Sequence, residues 1–350
     1  MDFLTEILKE KEFKKYEKIK DFTIKTYQDS DEADLISLYL KVFPHVITDG
    51  LIEWKNRKNP FENADKYTFL MKDKETIISQ YAVVPKIFII YGKEYKCIQS
   101  LGTMTHPAYR GLGIFPYLAK IAYEYAKRKG HSFVYGFPNE ISEQYFKVKL
   151  NWTIFSKLNL FYKDLSSSML PKIDDDNYII KEIEVFDEKV NKLWNKIKPF
   201  LPIIIKKDKD YLNWRFVNHP SENYKKYIVL NNTNRKICAY FILKKFKDKN
   251  NNLNGHIIDF LIDPKDKNLE RKIFTLIEGF SINEFKKDCT RISFWLPNEN
   301  LKNLTLKSLN YNLIQMNANF GFKIFKTDKQ FDLLKDQKSW YITMGNSDVF

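Results

Sequence analysis

The chain has 350 residues, which is longer than one hydrophobic core usually supports and suits two domains of ordinary size. Hydrophobic residues make up 44% and aromatic residues 16% of the chain, so a protein that is mainly disordered is excluded. The net charge of +14 comes from 58 basic and 44 acidic residues spread along the whole length, which disfavours a nucleic-acid-binding patch but suits a phosphorylated cofactor.

The apolar stretches are all too short to cross a bilayer, which takes roughly 20 residues. Residues 1–18 alternate acids with lysines and lack the order of a signal peptide, so the sequence predicts a cytoplasmic protein. Cys97, Cys238 and Cys289 are isolated and have no CxxC spacing, which disfavours a disulfide scaffold and a cysteine zinc site. The histidines have no partners at metal-ligand spacing, so no metal is expected.

Hydrophobic periodicity predicts an α/β (α+β) order in the first half, beginning with a short accessory helix at residues 1–20. An acidic N-cap at residues 29–32 then starts a helix that reaches Phe43. The predicted strands are 22–27, 67–71, 77–84, 87–91, 95–105, 133–137 and a final strand or pair of strands within 152–162. Two further helices are predicted at 113–129 and 140–150.

The pattern begins again after a polar, aperiodic segment, and the two copies share residues at one spacing. The identities at an offset of 160 are Trp54, Pro60, Asn63, Lys66, Tyr67, Leu70 and Ile77 with Trp214, Pro220, Asn223, Lys226, Tyr227, Leu230 and Ile237. A repeat of this kind predicts one fold in both halves. The predicted organisation is a helix at 1–20, a domain at 21–164, a linker at 165–177 and a second domain at 178–350.

The copies differ chemically at one loop. The first half has the residues THPAYRGLGI at 105–114, whereas the corresponding segment 262–271 of the second half contains no glycine. Glycines between a strand and a helix let the backbone N–H groups and the helix N-terminus converge on a phosphate. Only the first half is therefore expected to bind such a ligand.

This loop, Arg110-Gly111-Leu112-Gly113, resembles the acyl-CoA pyrophosphate loop of the GNAT superfamily of acetyltransferases. Residues 136–139 and the closing Lys149-Leu-Asn-Trp152 are similar to the fifth strand and the end of the same domain. The resemblance implies two tandem GNAT-like domains, each a mixed, mostly antiparallel twisted sheet flanked by helices, of which the second lacks the CoA loop. Similar tandem proteins include bacterial enzymes of surface-polysaccharide and amino-sugar synthesis.

The resemblance also implies a binding site for acetyl-CoA as co-substrate. Thr103, Met104 and Thr105 would lie along the pantetheine arm, residues Arg110 to Ile114 (Arg110, Gly111, Leu112, Gly113 and Ile114) would cradle the pyrophosphate, and Asn139 would hold the pantetheine amide. The family often uses a tyrosine to protonate the CoA thiolate, but counting back from Trp152 places Lys147 there. Tyr145, two residues earlier, is the candidate for this role, or else an ordinary pocket aromatic.

Other candidates have structural alternatives of their own. An acceptor cleft would be lined by Trp54 with Arg57 and by Trp214 with Arg215. The alternative is a structural role, because the feature recurs in the copy without the loop. His106 is a candidate general base, or fixes a turn before Pro107.

The chain ends in an apolar, strand-like stretch from Trp340 to Met344 followed by a short polar run. In some tandem GNAT proteins the terminal carboxylate is the base for acyl transfer. By that resemblance Asp348 or the carboxylate of Phe350 would be the base here, and the alternative is an ordinary edge strand.

The sequence as a whole predicts an acetyl-CoA-dependent N-acetyltransferase that acts directly on a small amine such as an amino sugar or nucleotide sugar. The alternatives are an acyl transferase that uses aminoacyl-tRNA and a non-catalytic CoA-binding protein. The acceptor, the choice between N- and O-transfer and the oligomeric state are left open.

Overall fold

The structure of the chain is a computed structural model that describes residues 3–44, 50–155, 158–165, 175–248, 250–263, 267–295, 311–315, 319–326 and 328–347. The first half contains helices α1 (Phe3–Lys9), α2 (Glu32–Val42), α3 (Leu51–Asn56), α4 (Ile114–Arg128) and α5 (Glu140–Gln144), and strands β1 (Thr23–Thr26), β2 (Thr68–Asp73), β3 (Thr76–Ile90), β4 (Lys93–Thr105), β5 (Phe133–Gly136), β6 (Thr153–Phe155) and β7 (Asn159–Asp164). The second half contains helices α6 (Glu188–Ile197), α7 (Lys209–Phe216) and α8 (Lys267–Phe285), and strands β8 (Tyr178–Ile183), β9 (Ile203–Ile205), β10 (Lys225–Asn231), β11 (Ile237–Lys247), β12 (Leu253–Ile262), β13 (Arg291–Trp295), β14 (Asn312–Gln315), β15 (Phe320–Ile324) and β16 (Trp340–Tyr341).

Beyond the N-terminal segment, the predicted elements of the first half are found with two differences of extent. The strands predicted at 77–84 and 87–91 are one continuous strand, β3, because Pro85 does not interrupt it. The helix predicted at 140–150 is the short α5 followed by a π-helical turn at Tyr145–Lys149.

The chain divides into two compact units that differ from the predicted domains. Unit 1 is formed by the described residues of 1–88, 95–156 and 318–331, and unit 2 by those of 89–94, 157–317 and 332–350. The predicted boundaries at 164 and 178 separate the halves of the sequence, whereas each unit also takes residues from the other half.

The described strands of unit 1 pair in the order β1-β2-β3-β4-β5-β15-β6. Neighbouring strands with defined register are antiparallel except β4 and β5, which are parallel. Strand β15 comes from the second half of the chain and lies between β5 and β6.

Unit 2 contains a second sheet of seven strands in the order β14-β7-β13-β12-β11-β10-β8, again with one parallel pair, β12 and β13. Strand β7, predicted to close the first domain, pairs instead with β13 and β14. Strand β15 of unit 1 and strand β7 of unit 2 therefore come from the opposite half of the chain. The mixed, mostly antiparallel α/β architecture is confirmed for both units.

Helix α4 forms most of one face of the unit 1 core because its apolar residues recur at helical spacing. Its fully buried side chains include Leu118, Ile121 and Ala122, which pack with Phe69 and Val83 of the sheet. This burial fixes the N-terminus of α4 relative to the end of β4.

The N-terminal segment is shorter as a helix than predicted and is part of unit 1. Beyond α1 it continues as two 3₁₀ turns at Lys11–Phe13 and Glu17–Ile19. Ile7 and Ile19 are fully buried in the same core as α4, and the Tyr117 hydroxyl donates to the Phe13 carbonyl at 2.7 Å. Of the predicted linker at 165–177, residues 166–174 lie outside the described residues.

Two buried histidines link the stability of the fold to pH. Burial lowers the pKa of His131 and of His256 to about 4. His131 is satisfied as the neutral ring, with Nδ1 3.0 Å from the Cys97 carbonyl and Nε2 2.9 Å from the Tyr67 hydroxyl.

We therefore expect the free energy of unfolding to fall as pH drops below the unfolded-state pKa of about 6.5. In this pH range the two histidines become protonated in the unfolded chain but stay neutral in the folded protein. Each histidine should contribute up to about 1.4 kcal/mol per pH unit. Urea unfolding between pH 6.5 and 5 measures how steeply the free energy of unfolding depends on pH. The variant His131→Gln should lower this slope by up to about 1.4 kcal/mol per pH unit. An unchanged slope in that variant would remove His131 from the account.

Candidate functional site

The loop between β4 and α4 has the backbone conformation for which glycine is required. Gly111 and Gly113 have φ angles of +81° and +78°, in the left-handed region, and a Cβ built on either meets nothing within 4 Å. The space beside both glycines of the loop is therefore open. This leaves room for a ligand to approach the backbone closely.

Gly113 is also the N-cap of the 15-residue helix α4 and has no side chain with which to cap it. The first backbone N–H groups of a helix have no partner within it, and the helix dipole is positive at this end. The combination of an uncapped N-terminus and an open glycine loop suits a phosphate group.

Arg110 adds a positive charge at the same place. Its side chain is exposed, and Nε donates to the carbonyl of Thr105 at 3.4 Å. The guanidinium thus lies over the end of β4. Ser79 fixes that end from the neighbouring strand, since its hydroxyl lies 2.9 Å from the Met104 carbonyl and 2.9 Å from the Thr105 hydroxyl.

Strands β4 and β5 pair only over a short stretch, with Ile98 opposite Val134 and Gln99 opposite Tyr135. Beyond it β4 continues through Thr103 and Met104 to Thr105, whereas β5 ends at Gly136. Met104 is buried among apolar residues of α2, and Thr103 and Thr105 are half-buried.

Asn139 is a helix cap in this structure. Its side-chain oxygen accepts from the Ser142 N–H at 2.9 Å, and the residue is exposed at the start of α5. This leaves only its amide NH₂ for the predicted contact with pantetheine, and the sequence alone did not indicate the capping role.

Tyr145 begins the π-helical turn and is 52% exposed. Its ring contacts that of Phe115 edge-on, with centroids 6.1 Å apart. Because Phe115 is in the first turn of α4, Tyr145 lies beside the glycine loop. Single π-helical turns occur often at functional sites.

The predicted acceptor-binding residues are committed to other contacts. Trp54 and Trp214 are buried in their own units, with 8% and 5% exposure. Arg57 forms ion pairs with Asp29 and, at 3.3 Å, with Asp65. These contacts favour the structural interpretation of the repeated tryptophans and their arginines.

Arg215 is buried as well and holds the C-terminal segment within unit 2. It donates to the carbonyls of Gly345 and Ser347, each at 3.2 Å, and to the Tyr224 hydroxyl at 2.7 Å. Asp348 and Phe350, the candidate bases, lie outside the described residues.

His106 caps the 3₁₀ turn at Pro107–Tyr109, since its Nδ1 accepts from the Ala108 N–H at 3.2 Å. This contact favours the alternative in which His106 fixes a turn over its role as a general base. No group of three or more potential metal ligands occurs in the described parts of the chain. Among the helices whose residues are described, none is long and apolar enough to span a membrane.

The fold and the loop together define the class of the first half. Residues 23–154 match the family model for the acetyltransferase (GNAT) domain. This segment is therefore a GNAT acyltransferase domain, and its co-substrate is a thioester of coenzyme A. No curated protein sequence matches the chain.

Solved structures share the architecture of most of the chain at low sequence identity. A GCN5-related N-acetyltransferase from Anabaena variabilis has a TM-score of 0.67 and 11% identity, covering 87% of this chain and 73% of its own. A probable N-acyltransferase from Enterococcus faecalis has a TM-score of 0.64 and 14% identity, covering 89% and 74%. Saccharomyces cerevisiae N-myristoyltransferase with bound myristoyl-CoA has a TM-score of 0.59 and 14% identity, covering 87% and 78%. These likenesses establish a common fold that extends over both halves.

Proposed function

We propose that the protein transfers the acetyl group of acetyl-CoA directly to the amine of a small acceptor such as an amino sugar or nucleotide sugar. The observation that carries this proposal is the pair of left-handed glycines, Gly111 and Gly113, with open space beside them at the N-terminus of α4. We further propose that the reaction takes place in the cytoplasm.

In this proposal the pyrophosphate binds the N–H groups of residues 110–114 and the charge of Arg110. The pantetheine arm follows Thr103 to Thr105, where β4 extends past its pairing with β5. The amide NH₂ of Asn139 donates to a pantetheine carbonyl from the start of α5.

The acceptor amine, as its free base, attacks the thioester carbonyl, so that a C–N bond forms and the C–S bond breaks. A backbone N–H near Met104 stabilises the developing charge on the carbonyl oxygen. The proton of the amine goes to a carboxylate, Asp348 or the terminal carboxylate of Phe350, and the thiolate takes a proton from Tyr145.

The Arg110→Ala variant should bind CoA at least about tenfold more weakly, because a charge-assisted hydrogen bond contributes about 1.5–3 kcal/mol. Its KM for the acceptor should change little. Direct titration measures the affinity, and an exposed arginine outside the loop, Arg235, supplies the matched control Arg235→Ala. Equal affinity in the Arg110 variant and the wild type would make the loop a structural turn only.

Deletion of residues 348–350 should lower kcat by about 10²-fold, the contribution typical of a general base. CoA affinity and thermal unfolding should be unchanged, since Arg215 still holds the segment through Ser347. The variant Asp348→Asn, which keeps the terminal carboxylate, separates the two candidates. Normal turnover in the truncated protein would exclude the tail from the mechanism.

Release of free thiol from acetyl-CoA, measured with a panel of amino sugars and other small amines, tests the proposed function. We expect thiol release to depend on an acceptor and to yield a stable amide. Tight CoA binding without turnover of any acceptor would contradict the proposal and favour a CoA-binding role.

A further inference from the structure

A buried cluster of polar side chains, one of them a lysine, lies in unit 1 next to Gly102 of β4. Its members are Lys55 of α3, Tyr39 of α2 and Gln80 of β3, which meet around Gly102. Gly102 has a φ angle of +66°, and a Cβ built on it would lie 3.2 Å from Lys55 Nζ, from Gln80 Nε2 and from the Tyr39 hydroxyl oxygen. Three polar groups therefore converge on one point of the strand.

Within the part of the chain that the structure describes, no carboxylate neutralises the positive charge of this cluster. Lys55 is 7% exposed, and its hydrogen bond to the Tyr39 hydroxyl is a long one, 3.5 Å from Nζ to the oxygen. Among the described residues no carboxylate pairs with it, and Glu53 of the same helix pairs with Lys58 instead. Burying an ammonium group without a counter-charge is costly, so a site of this kind calls for an anionic partner.

Unsatisfied polar atoms occur in the cluster and in the residues that follow Lys55 and Gly102 in sequence. Within the described residues, Gln80 Oε1, Asn56 Oδ1 and Thr103 Oγ1 are buried and make no hydrogen bond. Buried polar groups in folded proteins are ordinarily paired. Orphaned atoms on three neighbouring segments therefore indicate a place that a polar ligand completes.

Unit 2 has a basic residue at the corresponding position of the repeat, and there it binds a segment of the chain itself. At the repeat offset of 160, Lys55 corresponds to Arg215, which donates to the carbonyls of Gly345 and Ser347. By the alignment of Thr105 with Ile262, Gly102 corresponds to Asp259, and a Cβ on Gly345 would lie 3.2 Å from the Asp259 Cβ. In unit 2 the basic residue at this position of the repeat thus binds carbonyl oxygens of the C-terminal segment.

The location of the unit 1 cluster relates it to the proposed reaction. Gly102 directly precedes Thr103 to Thr105, the stretch assigned above to the pantetheine arm. A fixed positive charge here is placed to hold an anionic substituent of the acceptor close to the thioester.

We propose that Lys55, with Tyr39 and Gln80, is the acceptor-recognition site and selects amine acceptors that carry an anionic oxygen group, a carboxylate or a phosphate. This inference rests on the proposed function for the identity of its ligand as an acceptor. The charge, the orphaned atoms and the occupied counterpart in unit 2 support the site independently.

Matched amine pairs test the selectivity without any variant. Glycine and glycinamide differ by one carboxylate charge, and glucosamine 6-phosphate and glucosamine differ by one phosphate. We expect kcat/KM to be at least tenfold higher for the anionic member of one or both pairs. A preference for glycine indicates a carboxylate ligand, a preference for the phosphorylated sugar a phosphate, and no preference in either pair would overturn the proposal.

The variant Lys55→Met removes the charge and keeps the length of the side chain. It should lower kcat/KM at least tenfold for the preferred anionic acceptor and leave the neutral member of that pair and CoA affinity unchanged. Lys55→Arg should retain the preference, as the residue at the same position in unit 2 is arginine. Lys58→Met, at an exposed position just after the same helix, is the matched control and should behave as wild type.

Calorimetric titration of the CoA complex with the same four amines separates this inference from the proposed function. Loss of anion binding in Lys55→Met without turnover of acetyl-CoA by any protein would contradict the proposed function and leave the anion site standing. Turnover that is equal for both members of each pair, with equal losses on both in Lys55→Met, would overturn the site and leave the function standing.

Discussion

Replacement of Gly113 by valine should abolish CoA binding. The φ angle of +78° is one that a β-branched residue adopts only with strain, and the new side chain would project into the open space where the pyrophosphate is expected. A ligand present at 100 times its dissociation constant stabilises a protein by about 2.7 kcal/mol. Thermal unfolding of the wild type should therefore shift upward with CoA, and that of Gly113→Val should not.

The same helix provides the control. Gly130 follows the C-terminus of α4, has a φ angle of +86°, and its Cβ would likewise meet nothing within 4 Å. Gly130→Val should thus carry a comparable backbone strain far along the helix from the loop. If both variants lost the CoA-dependent shift, strain in α4 and not obstruction of the loop would be the cause.

Replacement of Asp259 by asparagine should destabilise the protein by about 3–5 kcal/mol, the range found when one partner of a buried ion pair is removed. Asp259 and Lys207 are both fully buried and form an ion pair, and the Thr343 hydroxyl donates to Asp259 at 3.0 Å. Burial lowers the pKa of Lys207 although Asp259 opposes the shift. Without that carboxylate the ammonium group has no counter-charge among the described residues.

Urea unfolding measures this loss, and two comparisons define its origin. Asp332→Asn, which removes an exposed pair with Lys335, should change stability by less than about 1 kcal/mol. The double variant Lys207→Met/Asp259→Leu should recover much of the loss, because it removes both charges together. A small effect of Asp259→Asn alone would show that this pair does not anchor the C-terminal segment.

The sequence predicted those parts of the molecule that depend on local patterns. The periodicity of 114–128 and the glycines at 111 and 113 indicated α4 and its loop, because helix spacing and positive φ are encoded by the residues themselves. The residue-level repeat likewise indicated two copies of one α/β fold. The absence of a glycine at 262–271 indicated which copy carries the loop.

The exchange of β7 and β15 could not be predicted. A strand has the same alternation whether it pairs within its own half or with the other, and no residue within 159–164 marks the choice. The roles of Asn139 and Arg215 were missed for a related reason, since capping and anchoring contacts depend on partners fixed by the fold. One feature of the sequence could have drawn attention to Lys55. It follows the repeated Trp54 and corresponds to Arg215, which follows Trp214.

The proposed function requires a single CoA site per chain, located in the first half. Calorimetric titration of the wild-type protein with CoA measures both the affinity and the stoichiometry. We expect one CoA bound per chain, with the site absent in Gly113→Val and retained in Gly130→Val. Two sites per chain, or one site that persists in Gly113→Val, would contradict the account.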